Sequence, residues 1–432
     1  MKKLLAILLC AMLLMPACPR AALGDTARDI TAQCKITSSD SDSSIKSLYD
    51  RDETTGCGVR AGRGQYLQIT PGDAPVAAVM LEFGTYTHSF AIQAQDADGA
   101  WREIASFENT GDYGQAYLTF PAQSGRFRIA FSCADGRERK ATIREMYLFS
   151  EGTPDLALAH AWQPPCEKAD LLFVVAHPDD EILWFGGAIP YYAGQLGRRV
   201  QVVYLTDHHN NNPERRHEML NGLYACGDRV YPVFGTCRDV RSDTLESGYA
   251  DMAEDGVTEQ MLVGFAVEQL RRFQPMVAVT HDVEGEYGHS QHMLCADLMM
   301  KACRISMDPT EYPELAAKYG VWDVPKTYLH LYPENEIFLD WDVPLSRFDG
   351  MTAFEVSRDL GFACHESQYR LAWYYRQGEC AKDLTRYSPC AYGLYRSTVG
   401  ADNRKNDFFE NIDSHDIAQR RLALPRRDWK TA

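Results

Sequence analysis

At 432 residues, 45% hydrophobic and 24% charged, the chain has the composition of an ordered globular protein long enough for two domains. Its 60 acidic against 44 basic residues give a formal charge of -16, which repels phosphate backbones over most of the surface and argues against nucleic acid as a partner. A neutral substrate fits that balance better.

The first 24 residues, MKKLLAILLCAMLLMPACPRAALG, set two lysines before a short apolar run and small residues before Asp25. This is the pattern of a signal peptide, and the run is too short to anchor in a bilayer. Cys18 in MPAC offers a lipoprotein reading, which Met15 and Pro16 disfavour. With no later stretch apolar enough to span a membrane, the expectation is a secreted, soluble protein. Eleven cysteines follow the leader, from Cys34 to Cys390; the number is odd, and no CxxC or Cys/His zinc spacing occurs.

From 34 to 149 short strand-like runs recur: YLQIT (66–70), AAVMLEF (77–83), SFAIQAQ (89–95), AYLTF (116–120), RFRIAF (126–131) and IREMYLF (143–149). Gly, Pro, Asp or Asn clusters separate most of them, which predicts an antiparallel β-sandwich over 25–150. Residues 151–168 carry three prolines and no period, and read as a linker.

Strand and helix then alternate through a second domain over 169–415, before a tail at 416–432. Strands are predicted at 171–178, 200–206, 230–235, 276–282 and 327–333, and helices at 180–195, 213–225, 257–273 and 288–304. Continuous apolar strands joined by helical crossovers imply an α/β fold with a parallel sheet covered on both faces, whose ligands sit at the carboxyl ends of the strands.

Two clusters stand at such ends. HPDDE (177–181) empties out of LLFVVA; its acids suit a helix start, but His177 does not serve that purpose. GHSQH (288–292) opens a later helix, with His289 and His292 three apart on one face. One imidazole and one carboxylate from the first cluster with one imidazole from the second make an N/N/O set, the pattern of a catalytic zinc that keeps a position open for water. A spare carboxylate could take a proton and a spare histidine could stabilise an oxyanion. Glu181 reads either as helix-start acid or as support for its neighbours, Glu284 and Glu286 either as solvated loop acids or as acceptors that orient a histidine, and Trp184 as core. His208 and His209 read as a turn before NNNP.

On AHPDDE (176–181) and GHSQH the chain resembles the PIG-L/LmbE family of zinc-dependent N-acetylglucosamine-type deacetylases, strongly over 168–345 and, through FACHESQYR and GLYRSTVGADNRKNDFFE, to about 412. The resemblance implies a Rossmann-like fold, with His177, Asp180 and His292 holding Zn2+ and Asp179 as general base. It implies His289 as the group that stabilises the tetrahedral intermediate or acts as acid. ERRHE implies substrate contact for Arg215, with Arg216 as the alternative. Tyr395, Arg396 and Asp402 read as loop packing rather than cleft.

The N-terminal sandwich resembles discoidin, or coagulation-factor type C, modules of the galactose-binding-like superfamily on SLYDRDETT (47–55), DADGAWREIA (96–105), RFRIAF and IREMYLF. That implies a glycan-binding module and a structural Ca2+ near Asp50 and Asp52; Cys57 stands near a position where a tryptophan is common. The expectation for the whole chain is a secreted enzyme that removes acetyl from an N-acetylated amino sugar or glycan. The alternatives are another N-acyl substrate, or a non-catalytic adhesin, against which the presence of both Asp179 and His289 argues.

Overall fold

The computed structural model describes residues 26–422 apart from 41–43, 62–63, 85–87, 110–112, 134–136, 155–157, 209–211 and 369–376. The expected leader at 1–24, His209, and most of the tail and of the aromatic stretch at 365–376 lie outside the described residues.

The N-terminal runs form nine strands: β1 (Lys35–Ser38), β2 (Cys57–Ala61), β3 (Tyr66–Thr70), β4 (Val76–Phe83), β5 (Ser89–Gln95), β6 (Trp101–Phe107), β7 (Gln115–Gln123), β8 (Phe127–Ser132) and β9 (Arg139–Ser150). They pair antiparallel in two sheets, β1-β3-β8-β5-β6 and β2-β9-β4-β7. Alternate residues point inward, as a half-buried strand requires: Leu67, Ile69, Ile92 and Ile129 from one sheet meet Val79, Leu81, Ile143 and Leu148 from the other in one core.

The second domain is built on seven strands in the order β12-β11-β10-β13-β14-β16-β15. The first five, β12 (Val233–Cys237), β11 (Val200–Thr206), β10 (Leu171–Val175), β13 (Val277–Thr280) and β14 (Lys326–His330), run parallel. Every residue of β10, β11, β13 and β14 is buried, which explains the uninterrupted apolar runs. The edge beyond β14 turns antiparallel through β16 (Ala391–Ser397) and β15 (Glu336–Phe338). The crossovers include α2 (Pro213–Ala225), α3 (Leu245–Glu254), α4 (Glu259–Phe273) and α5 (Ser290–Ile305).

The helix expected over 180–195 is broken. Only α1 (Asp180–Leu183) forms before the chain turns at Gly187, and a wide π turn resumes at Pro190–Gln195. Gly187 holds φ +108, where a Cβ would lie 2.4 Å from Cγ of Trp341; that packing, invisible in local periodicity, stops the helix. Helix α3, absent from the sequence reading, starts at a capping box between Thr244 and Ser247.

The linker is seated rather than loose. His160 is buried with a ring nitrogen 3.1 Å from Gln115 Oε1, and Trp162 donates to the same oxygen at 2.9 Å. The Tyr231 N–H donates to Gln163 O at 2.8 Å, and the Gln163 N–H to Arg229 O at 2.7 Å. Helix α2 lies against the sandwich beside the linker: His217 Nε2 donates to Phe83 O at 2.6 Å, Asn221 donates to Glu53 at 2.9 Å, and Gln115 donates to Asn221 at 2.7 Å. Burial pushes Glu53 up to about 7 and holds Glu82, in the same interface, well above the ordinary carboxylate range.

The calcium expectation finds no support. Asp50 accepts from Thr55 Oγ1 at 3.0 Å and Asp52 from Thr54 at 2.5 Å, so both carboxylates close their own turn. No group of three metal-capable side chains forms around them among the described residues. None of the eleven described cysteines forms a disulfide.

Candidate metal centre

The carboxyl ends of all five parallel strands converge. Just past β10 stands His177, past β11 His208, past β12 Asp239, past β13 His281, and β14 ends on His330. The start of α5 brings His292 against them, and His289 is its N-cap.

Two of these groups, His177 and His292, face one point together with Asp180 at the start of α1. His177 Nδ1 lies 3.1 Å from Asp180 Oδ2 and 3.3 Å from His292 Nε2, and His292 Nε2 lies 3.3 Å from Asp180 Oδ1. A tetrahedral ion with bonds of about 2.0–2.2 Å spaces its ligands at about 3.3–3.6 Å, so the donor set fits a metal. The hydrogen bonds behind the ligand atoms agree. His177 Nε2 donates to Gln291 Oε1 at 2.8 Å, and that amide is fixed by Val240 N donating to its oxygen and by its own donation to Arg238 O. His292 Nδ1 donates to Glu286 Oε2 at 2.8 Å. Each ring therefore turns a lone pair toward the other and toward a carboxylate, an arrangement that a cation stabilises. Burial opposes charge on Asp180, but His292, His177 and His281 hold its carboxyl well below the usual range.

Glu286, fully buried, is the hub behind the site. It accepts from His281 Nδ1 at 2.7 Å, His292 Nδ1 at 2.8 Å and His330 Nδ1 at 2.6 Å. The residue thus orients histidines rather than facing solvent, whereas Glu284 is exposed.

Asp179 stays outside the ligand set. Its side chain makes no cap bond to α1, and its backbone sits at φ +123, a conformation rarely adopted by residues with a Cβ. Its amide donates to Glu181 Oε2 at 3.1 Å, which settles the open reading of Glu181 as support for this turn. Burial pushes Asp179 up to about 7 against the opposing pull of Arg215, and pushes Glu181 up to about 8.

His289 accepts the Gln291 amide on Nδ1 at 3.2 Å, which leaves Nε2 as its donor. Burial, then His177 and His292, lower it to about 2, so it is neutral. Arg215 is buried; it donates to Pro178 O at 2.8 Å, faces Asp179 Oδ2 at 3.4 Å, and donates to Asp239 at 3.1 Å. Arg216 instead lies over the Phe234 ring at 4.1 Å.

The structure brings together Asp179, Asp180, His177, His289, His292 and Arg215, and adds His208, Asp239, Glu286 and Tyr287, whose ring centre lies 5.5 Å from that of His289 and 5.3 Å from that of His292. His208, read as a turn residue, is buried 3.7 Å from Asp239, and burial lowers it to about 4. Trp184 is core, its Nε1 donating to Asp180 Oδ1 at 2.9 Å. Asp402 packs against Tyr328 and Lys326, and Arg396 pairs with Asp323, so these residues belong to packing as expected.

An open α/β sheet with an imidazole and carboxylate cluster at its carboxyl edge defines the class: an α/β protein with a metal-capable centre of the kind hydrolases use. Comparison with known proteins narrows it. The family model described as GlcNAc-PI de-N-acetylase, PIG-L, matches residues 172–303. A 1D-myo-inositol 2-acetamido-2-deoxy-alpha-D-glucopyranoside deacetylase 2 of Saccharopolyspora erythraea is 31% identical over 210 residues, covering 43% of this chain and 72% of that one. The corresponding deacetylase of Streptomyces scabiei is 25% identical over 317 residues, 58% of this chain and 92% of its own. Among solved structures, N,N'-diacetylchitobiose deacetylase from Pyrococcus horikoshii overlaps with a TM-score of 0.35 at 16% identity, covering 52% of this chain and 83% of that one. The chain belongs to the PIG-L family of deacetylases.

Proposed function

We propose that the protein is an exported metal-dependent hydrolase that removes acetyl from the nitrogen of an amino sugar of the N-acetylglucosamine type. The observation that carries this reading is a buried carboxylate, Asp179, beside a three-ligand N/N/O set that it does not join. The names of the relatives support the substrate class, and the leader pattern at 1–24 supports export.

His177, Asp180 and His292 would hold the ion, with zinc the best match to the donor set. When bound, such an ion supplies Lewis-acid chemistry, acidifying water and polarising a carbonyl. The chain's own residues do the rest. Asp179 takes the proton of the attacking water and returns it to the sugar nitrogen as the C–N bond breaks, so that acetate and the free amine leave; pushed up to about 7 by burial, it can do both near neutral pH. His289 donates from Nε2 to the oxygen on which negative charge develops, and its neutral state lets it stay a donor throughout. Arg215 steadies Asp179 and, with Asp239, leaves a charged and hydrogen-bonding rim for sugar hydroxyls. The sandwich, by its likeness to discoidin modules, is assigned glycan contact in the same proposal.

The test is acetate release from N-acetylglucosamine, its oligomers and N-acetylglucosaminyl-inositol by protein reconstituted with zinc. Turnover of at least one of them, abolished by a chelator and restored by metal, supports the reading. A metal-loaded protein that releases acetate from none sinks it.

A further inference from the structure

At the opposite edge of the sheet, where β10 and β11 begin, a cavity of about 390 Å³ is lined by Arg198, Arg199, Arg229 and Arg347 with Gln163 and Asp228. Four guanidiniums around one concavity are unexpected in a chain of charge -16. Among the described residues only Arg199 meets a carboxylate within ion-pair distance, Asp170 at 3.5 Å. Arg198 and Arg347 reach no carboxylate within ion-pair distance among the described residues, and Arg229 is drawn to the neighbouring Asp228 without closing an ion pair with it. Arg198 lies over the Phe409 ring at 4.6 Å, Arg229 lies over Tyr224 at 3.7 Å and donates to Tyr224 O, and Arg347 donates to Gly194 O at 3.3 Å.

Asp228, the one acid of the lining, is 1% exposed; its Oδ1 accepts the Val230 main-chain N–H at 3.0 Å, while Oδ2 has no hydrogen-bond partner among the described residues. Burial pushes it up to about 7, so near neutrality it offers a donor as often as a negative charge. The floor is made by close main-chain approach: a Cβ on Gly227 would lie 2.6 Å from Cα of Gly194, and one on Gly194 would lie 2.6 Å from the Phe348 ring. Like charges gathered in a concavity repel one another, and a planar fork of N–H donors is the geometry that binds oxyanions. The volume lies within the roughly 300–1,000 Å³ of small-molecule sites. The seven residues of β11 put this cavity about 20 Å from the catalytic cluster.

We propose that this cavity is a second ligand site, distinct from the metal centre, that takes the carboxylate or phosphate of a small acidic sugar. The guanidiniums hold the oxyanion, while Gln163 and the Phe348 face are left for the neutral part of the ring. The site stands independently of the deacetylase reading, because its test reads binding and not turnover.

The test is calorimetric titration of the full chain with glucuronate, glucose 6-phosphate and glucose, at low and high salt, on wild type, Arg347→Gln and Arg198→Gln/Arg347→Gln. Saturable binding of one or both acidic sugars, silence from glucose, weakening by salt and a loss of about tenfold or more in the double variant support the proposal. Glucuronate alone would assign a uronic acid, and glucose 6-phosphate alone a phosphorylated sugar. The exposed Arg347→Gln change covers the case in which the double variant does not fold. The proposal is overturned by no saturable anion binding, by equal binding of glucose, or by binding that survives both arginine variants and disappears in Asp180→Ala, which places it at the metal centre.

Discussion

The Glu286 hub makes a prediction that distinguishes charge from hydrogen bonding. In Glu286→Ala three buried imidazole N–H groups, now bonded at 2.6, 2.7 and 2.8 Å, lose their acceptor. At about 1–3 kcal/mol for each orphaned donor the cost is about 3–9 kcal/mol, comparable to the whole stability of an ordinary domain, about 5–15 kcal/mol. Glu286→Gln behaves differently. Its amide oxygen can accept from His281 and His292, and its NH2 can face His330, whose Nε2 already donates to Ser388 O at 2.9 Å and whose Nδ1 is then free to accept. The three histidine contacts survive, while the charge and the long Asp282 N–H contact at 3.4 Å are lost. Glu286→Gln should therefore unfold within about 1–2 kcal/mol of wild type yet bind metal about 10–100-fold more weakly, because His292 loses the carboxylate that makes it basic. The assay is urea unfolding of metal-stripped protein together with metal competition against a chelating dye. Glu286→Ala as stable as wild type, or Glu286→Gln as damaged as Glu286→Ala, refutes the hub.

Other outcomes follow from the same geometry. His289→Asn keeps a side-chain acceptor for the Gln291 main-chain N–H, but its own amide N–H stops short of the position His289 Nε2 reaches, so kcat should fall about 10²–10³-fold with little change in KM, while His289→Ala should also lose about 0.5–2 kcal/mol of stability with the cap; equal kcat in wild type and His289→Asn counts against the oxyanion role. Glu82 has a folded pKa above the ordinary 4.5, so the stability it contributes is full below that value and is lost as pH rises toward its folded value. Glu82→Gln should accordingly raise the melting temperature more at pH about 8 than at pH about 5, and a shift equal at both ends contradicts the protonated, buried acid. Gly187→Ala combines φ +108 with a Cβ 2.4 Å from the Trp341 ring; a loss of about 2–6 kcal/mol in urea unfolding is expected, and an unchanged midpoint contradicts the tight turn.

The strands of the parallel sheet were legible because burial on both faces demands uninterrupted apolar runs, and LLFVV and VQVVYLT carry them. Both metal motifs were legible because each is short and stands beside such a run. Other features depend on partners distant in sequence. Trp341 ends the helix at Gly187, which 180–195 read alone as continuous. Asp239 is a single acid in a loop, and only the sheet brings it to His177 and His208. The part of Glu286 is set by His330, 44 residues on. β16, an antiparallel strand on the sheet's edge, mixes polar and aromatic residues and gave no strand signal. The linker lacked a period because its order comes from contacts with Gln115 and Tyr231, not from its own repeat.

The central claim is that His177, Asp180 and His292 hold a metal while Asp179 is kept apart as base. The measurement closest to it is acetate release by Asp179→Asn, with metal content determined on the same samples. Unchanged metal stoichiometry and a kcat lower by about 10²–10⁴-fold are expected. Wild-type turnover in Asp179→Asn, or loss of metal from it, would contradict the separation of ligand and base.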